Sequence, residues 1–461
     1  MSPQTSKSRK SPKKIELATG AVPPLTSPRR PRKLTEGKRT LANGLRVVVV
    51  RKPGVPLVEV RLRVPFFSAH PGHSALASVL SDSALTGTSR YDRAGLAGAI
   101  QALGGDLGSG VDADRLIFSG SVLATNMVPL LNILADVLTD ASYAHSEVKA
   151  ERERLIERLS IARSRAGVVA AEALAARMWG DHPYARELPH VGEVEAVTAA
   201  KVRKLADHSI RPSEAVLVIV GDVSPVRALD QIEKALAGWT GHAKNKKSLA
   251  LPTFTGGPVV LVDRPGSVQS SLRLGGTALR RDDPRFAALQ LANLVFGGYF
   301  SSRWNENIRE DKGYTYGPHS RIEHNQLGSA LIFDADVATE VTAPALLETY
   351  YELGKLASLP ITDKELESAR QYAIGTLALS TATQAGLAST LSGLSASGLD
   401  ADWIATHPAR LLAVTTEEIR EVSAEFFAPS KLVTVVVGDA EKVSAPLGIL
   451  TEVTTAESSE K

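Results

Sequence analysis

The sequence predicts an α+β fold of two duplicated domains, each a mixed sheet packed by helices, and two internal echoes carry that prediction. The stretch Val47-Val-Val-Val-Arg-Lys-Pro-Gly54 is written again as Val259-Val-Leu-Val-Asp-Arg-Pro-Gly266, an offset of 212. Val197-Thr198, Arg203, Pro212-Ser213, Val216, Val218, Val220 and Gly221-Asp222 recur as Val414-Thr415, Arg420, Pro429-Ser430, Val433, Val435, Val437 and Gly438-Asp439, an offset of 217. Two matches at nearly one period mean an internal duplication. Strands alternating with helical patterns inside each copy mean helices layered on a sheet.

Composition agrees. A chain of 461 residues with 43% hydrophobic content is long enough for two cores. Cysteine is absent, which excludes disulfides, thiolate zinc sites and cysteine nucleophiles. No apolar run approaches bilayer length and the amino terminus lacks the apolar centre of a secretory signal, so a cytoplasmic location is the expectation. The net charge of +3 hides an asymmetry: residues 1–40 carry eleven Lys or Arg against Glu16 and Glu36. With six prolines and few large apolar residues, residues 1–38 read as a disordered basic arm. A solvated tail is the simplest role for it, with anionic-surface attraction, nucleic-acid binding and organellar targeting as the others; the prolines oppose the amphipathic helix of a presequence.

The first domain is expected over 39–238. Asn43-Gly44 turns the chain into Leu45–Val50, a β-branched run suited to a buried strand, and Leu57–Val64 alternates as a second strand. Val128–Leu138 is apolar on one face, Glu147–Ser164 is a charged helix, and Val168–Trp179 is an Ala-rich one. The polar, basic stretch 239–252 reads as a linker, 253–447 as the second domain and 448–461 as a frayed tail.

The second copy holds the most distinctive stretch, Phe296 to Gly317. Gly297-Gly298 closes a helical pattern, Ser301 or Ser302 caps a short helix, and Trp304 and Ile308 lie four apart on one face. Gly313 supplies a left-handed end before Tyr314-Thr-Tyr316 turns extended. The pattern Gly-Gly, Ser-Ser-Arg, Ile-Arg-Glu-x-x-Gly-Tyr-x-Tyr resembles the second homologous domain of the pitrilysin/insulinase family of zinc metallopeptidases. The resemblance implies a LuxS/mitochondrial processing peptidase-like fold in a clamshell arrangement. It also implies that Arg309 and Tyr316, seven apart, contact substrate near a zinc, with Gly297, Gly298 and Ser302 as substrate-binding positions.

That family binds zinc through His-x-x-Glu-His on a helix plus a later Glu. Placed by the Gly87-Thr88 that follows the motif in relatives, the two His positions here are Ser78 and Asp82, the Glu position is Ser81, and the last ligand position is Arg158. A guanidinium cannot bind zinc, so no metal is expected on this chain. His70-Pro-Gly-His73 is a turn without a carboxylate helix partner, and His182, His190, His319 and His324 are isolated. Gly104–Gly110 leads into a strand and lacks the Lys-Ser/Thr of a phosphate loop, and Gly108 stands where relatives carry an Asn near the substrate.

Donors kept without a metal site resemble the noncatalytic subunit of the family's two-chain members. The resemblance implies a zinc-bearing insulinase-like partner, zinc on that partner as the cofactor, and an extended peptide as substrate, bound partly by strand addition. No nucleic acid or membrane is implied. Whether the chain counts as an enzyme stays open: it is expected to be inactive alone. Two other readings remain, a structural core-type subunit of a larger complex and a self-contained peptidase with an unrecognised metal site.

Overall fold

The computed structural model describes residues 34–186, 188–242 and 249–456. In the first half, β1 (Thr35–Thr40), β2 (Arg46–Arg51) and β3 (Leu57–Pro65) precede α1 (His73–Ser83) and α2 (Arg93–Ala102), and β4 (Asp106–Val111) pairs with β5 (Arg115–Leu123). Then come α3 (Met127–Asp140), α4 (His145–Arg163), α5 (Ala166–Trp179), α6 (Val191–Glu195), α7 (Ala199–Ser209), β6 (Val216–Gly221) and α8 (Pro225–Ala235). The second half opens with β7 (Val259–Asp263), β8 (Gln269–Ala278), α9 (Phe286–Asn293), the short α10 (Arg303–Asn305), β9 (His319–His324) and β10 (Ser329–Ala338). It closes with α11 (Thr342–Ser358), α12 (Asp363–Ser380), α13 (Gln384–Ala396), α14 (Ala401–Ala413), α15 (Thr416–Phe426), β11 (Val433–Gly438), α16 (Ala440–Leu450) and β12 (Val453–Ala456).

The duplication is visible in the sheets. Their orders are β1-β2-β6-β3-β5-β4 and β12-β7-β11-β8-β10-β9. In each, one central pair is parallel, with Val47 opposite Leu217 and Val260 opposite Val435, and the remaining central pairs are antiparallel. Strands β6 and β11 lie 217 residues apart, the period read from the sequence. Both are buried at every position. That burial explains their unbroken Val/Ile runs, because a strand covered on both faces has no solvent side to be polar on.

The second cover comes from the other half of the chain. One face of each sheet packs on its own helices. The opposite face of the first sheet, with Val216, Val218 and Val220, packs on Leu387, Ala388 and Leu391 of α13. The opposite face of the second, with Val433, Val435 and Val437, packs on Ala170, Leu174 and Met178 of α5. The halves thus exchange one helix each. A Cβ on Gly275 of β8 would fall 2.3 Å from the Met178 sulfur, so glycine there sets how closely α5 approaches.

A polar lock reinforces the exchange. Asp114, at the β4–β5 turn, accepts from the Tyr184 hydroxyl (2.9 Å) and from the Gln326 amide (2.8 Å), while the Leu327 amide donates to the Tyr184 hydroxyl (3.1 Å). Burial pushes the Asp114 carboxyl up, and these donors oppose that shift.

Three expected boundaries move. Residues 1–33 of the basic arm lie outside the described residues, but Thr35–Thr40 is a strand, paired with β2 from Thr35 opposite Arg51. Trp239, read as the first linker residue, is buried, with its indole donating to the Ile210 carbonyl (3.1 Å). The tail contains an edge strand, since Val453–Ala456 pairs in parallel with β7. That strand occupies the edge position which β1 fills in the first sheet, and it satisfies backbone groups that a short polar segment does not advertise.

Candidate functional site

The positions that would carry the metal lie on α1 and α4, which pack together. Ser78 and Asp82 are one helical turn apart on α1, as two ligands would be. Arg158 of α4 reaches across and its guanidinium forms an ion pair with the Asp82 carboxylate. Burial raises the Asp82 carboxyl and Arg158 opposes that rise. Ser81 is buried, and its carbonyl accepts from Ser109 of β4 (2.7 Å).

This donor set does not fit zinc. Its one carboxylate is held by a cation, its hydroxyls are poor ligands, and a guanidinium cannot coordinate. Among the described residues no three His, Asp or Glu side chains converge to hold a metal ion. His73 begins α1, and its Nε2 lies 2.7 Å from the Phe66 carbonyl. Gly108 sits within β4, the glycine-rich run being a strand.

The second-half site is built on two π-helical turns, Leu294–Gly298 and Glu306–Asp311. Such turns insert a residue into the helical repeat and occur often at functional sites. Their inner side is a packed anchor. Trp304 and Ile308 are fully buried, Phe296 stacks on Trp304 with centroids 5.3 Å apart, and the Trp304 indole donates to Thr349 Oγ1 (3.0 Å). Arg303 makes a forked pair with Glu365, whose carboxyl, against burial, is taken to about 2 by that pair and by hydrogen bonds from Thr362. Asn307 donates to Glu348 (2.9 Å) and Glu352 (3.0 Å) of α11.

The outer side carries Arg309, Phe300 and Tyr316. The Arg309 guanidinium carbon lies 4.5 Å from the Phe300 ring centroid and 5.3 Å from that of Tyr316. Both distances fall within cation–π range. Tyr316 is 89% exposed and Phe300 61%. Two hydrogen-bond donors, one permanently charged, therefore sit together on a packed base, and among the described residues the charge has one ion-pair contact, with Glu310 at 3.5 Å. Gly313, at φ +66°, is the left-handed end that the sequence predicts. Tyr316 stands before β9 in a bend beside Thr315, which bridges to Val337.

The three positions expected to bind substrate differ in how open they are. Ser302 is 1% exposed and its hydroxyl accepts from Asn305 (3.1 Å), so it fixes the turn and cannot touch a peptide. Gly297 is required by packing, since a Cβ would come within 2.9 Å of Trp304. Gly298 is partly exposed and lines a neighbouring cavity. Sequence reasoning missed Phe300, although an aromatic residue between two glycines and two serines is an unusual thing to leave in a turn.

The duplicated mixed-sheet fold matches known proteins. Residues 46–190 match the family model described as insulinase (peptidase family M16), and residues 196–372 match the one described as peptidase M16 inactive domain. An uncharacterized zinc protease of Bacillus subtilis is 25% identical over 84% of this chain and 95% of its own length. One of Streptomyces coelicolor is 25% identical over 62% of this chain and 64% of its own. Among solved structures, a peptidase M16 inactive domain from Pseudomonas fluorescens superposes with a TM-score of 0.82 at 22% identity, over 88% of this chain and 98% of that one. A protease from Helicobacter pylori gives 0.80 at 17% identity over 88% and 99%. The chain belongs to the insulinase (M16) peptidase family.

Proposed function

We propose that this chain is the noncatalytic subunit of a two-chain insulinase-like zinc metallopeptidase, lending Arg309 and Tyr316 to peptide hydrolysis at a partner's zinc site. The reading rests on one contrast: in the second half an exposed Tyr316 and a half-buried Arg309 meet on a packed base, while the metal positions of the first half are closed by the Asp82–Arg158 ion pair. In this reading zinc belongs to the partner. This chain's residues do the rest. The Arg309 guanidinium and the Tyr316 hydroxyl donate to the substrate carbonyl as negative charge develops on its oxygen. Phe300 holds the guanidinium in position without neutralising it. An extended peptide is the substrate class, because edge strand β9 begins three residues after Tyr316 and offers backbone groups for strand addition.

Co-expression with a zinc-motif relative from the same genome, followed by peptide cleavage assays of each chain alone and of the pair, tests the proposal. Activity should require both chains. Arg309→Ala and Tyr316→Phe should each lower turnover by about 10²- to 10³-fold, the cost of losing one preorganised oxyanion donor, while the pair still co-elutes. Unchanged turnover would end this reading in favour of a purely structural subunit; chelator-sensitive cleavage by the lone chain would favour a self-contained peptidase.

A further inference from the structure

Beside the Arg–Tyr corner, α9, β9, α12, α13 and α14 line an open cavity of about 590 Å³, touched by the assignments above only through Gly298 and β9 and with no ligand group assigned to it. Its charge is one-sided. No Asp or Glu lines it, whereas Arg281, Arg321, His319 and His324 do. Arg321 is neutralised by ion pairs with Glu323 and Asp334. Arg281 is not. The acidic residues next to it in sequence are taken, Asp282 by Arg280 (3.1 Å) and Asp283 by Arg285 (3.6 Å). Among the described residues, Arg281 has no ion-pair or hydrogen-bond partner. Its guanidinium rests against Gly393 of α13, 3.7 Å from where a Cβ would stand. Trp403 also lines the cavity, and its buried indole N–H has no acceptor among the described residues.

A partly buried cation without a counter-ion costs free energy that a structural role does not recover. Its field is felt nearby: burial and then Arg281 push His324 down to about 3, and Arg281 contributes to the depression of His407 after burial and Arg410. The size and lining select among anions. The Arg281 guanidinium suits a carboxylate gripped by two N–H groups. The space far exceeds a free inorganic ion, and Phe286, Leu294, Ile322, Leu377 and Leu394 give it apolar walls suited to a peptide side chain. Gly298, two residues from Phe300, lies on its rim.

We propose that this cavity is a peptide subsite that captures a carboxylate through Arg281, either an acidic side chain or the free C-terminus of the substrate. The choice of a peptide as the carrier rests on the peptidase-subunit reading above. The carboxylate sits against the guanidinium while the rest of the chain runs past Gly298 toward Arg309 and Tyr316.

The test measures binding to the lone full-length chain, so it needs no partner. Four fluorescein-labelled peptides share one apolar sequence and differ only in a central Glu or Gln and in a free or amidated C-terminus. At least one carboxylate-bearing peptide should bind about ten-fold or more tightly than the Gln, amidated form, the worth of one charge-assisted pair. The arm that shows the preference identifies the source of the carboxylate. Arg281→Gln should abolish the preference without lowering the melting temperature, and Arg281→Lys should restore part of it. Equal binding of all four peptides, no binding of any, or a preference that survives R281Q overturns the proposal. Because turnover of the reconstituted pair is read separately, failure here leaves Arg309 and Tyr316 their role, and failure there leaves the carboxylate measurement standing.

Discussion

Arg158 and Asp82, on two packed helices 76 residues apart in sequence, are joined by an ion pair between two positions that the family resemblance assigns to metal ligands. The replacement is self-consistent, because a cation belonging to the protein now faces the carboxylate. Returning four side chains should reverse it. The variant Ser78→His, Ser81→Glu, Asp82→His, Arg158→Glu is expected to retain about one zinc per chain after dialysis, measured by plasma mass spectrometry, since tetrahedral sites need three protein ligands and an open position. A variant that folds but takes up no zinc would mean that α1 and α4 have drifted out of ligand geometry.

Phe300 stacks on Arg309 yet is largely exposed, so its loss should be felt in chemistry and not in folding. Phe300→Ala is expected to lower turnover of the reconstituted pair by a few-fold, in line with about 0.5–1 kcal/mol for an exposed cation–π contact. The melting temperature should stay within error of the parent. A drop as large as that of Arg309→Ala would mean that Phe300 has its own contact with substrate.

Gly297→Ala puts a methyl group 2.9 Å from Trp304 and 3.0 Å from Ser320 Oγ, inside the anchor beneath Arg309. Overpacking of this kind costs about 1–3 kcal/mol. Urea denaturation should show that loss, whereas Gly317→Ala, with nothing within 4 Å, should be nearly neutral.

The exchanged helices make the two halves depend on each other. Leu174→Ala on α5 and Leu391→Ala on α13 should each cost about 2–5 kcal/mol. In both cases thermal unfolding should remain one transition reported alike by probes in either half. Two separated transitions would mean that the sheets stand without their borrowed cover.

His407 is buried against Trp403 and is pushed down to about 4, first by burial and then by Arg410 and Arg281; His324 is pushed down to about 3. The unfolded chain takes up protons at these sites near the ordinary histidine value of about 6.5, and the folded chain refuses them until lower pH. Their contribution to stability is thus complete above about pH 6.5 and is lost as pH falls toward 4 and 3. Each group adds a slope on the order of 1 kcal/mol per pH unit. His407→Gln should flatten the pH dependence of unfolding between pH 6 and 4.

Much of this was legible in the chain. The duplication, the strands β2, β6, β7 and β11, and the Trp304–Ile308 face of the anchor all follow from side-chain periodicity, which records where a residue points. The π-helical turns around Arg309 left no trace, because one extra residue per turn changes backbone hydrogen bonding while the apolar face survives. The exchange of α5 and α13 was hidden for a similar reason: an Ala-rich helix announces a buried side but not whose sheet it covers. The family resemblance places Ser302 at the substrate, and a motif does not record whether its side chain is buried. Nothing in Arg280-Arg-Asp-Asp283 singles out Arg281, and only the pairing of its neighbours with Arg280 and Arg285 shows that it is left over.

Because each sheet is roofed by a helix from the opposite half, the described residues tie the two halves together on two faces. Under the proposed pairing, admitting a long peptide means loosening one whole chain from the other. Traffic through the chamber would then be set by the grip between subunits, and a mutation far from any substrate that tightened that grip would slow the enzyme by keeping its door shut.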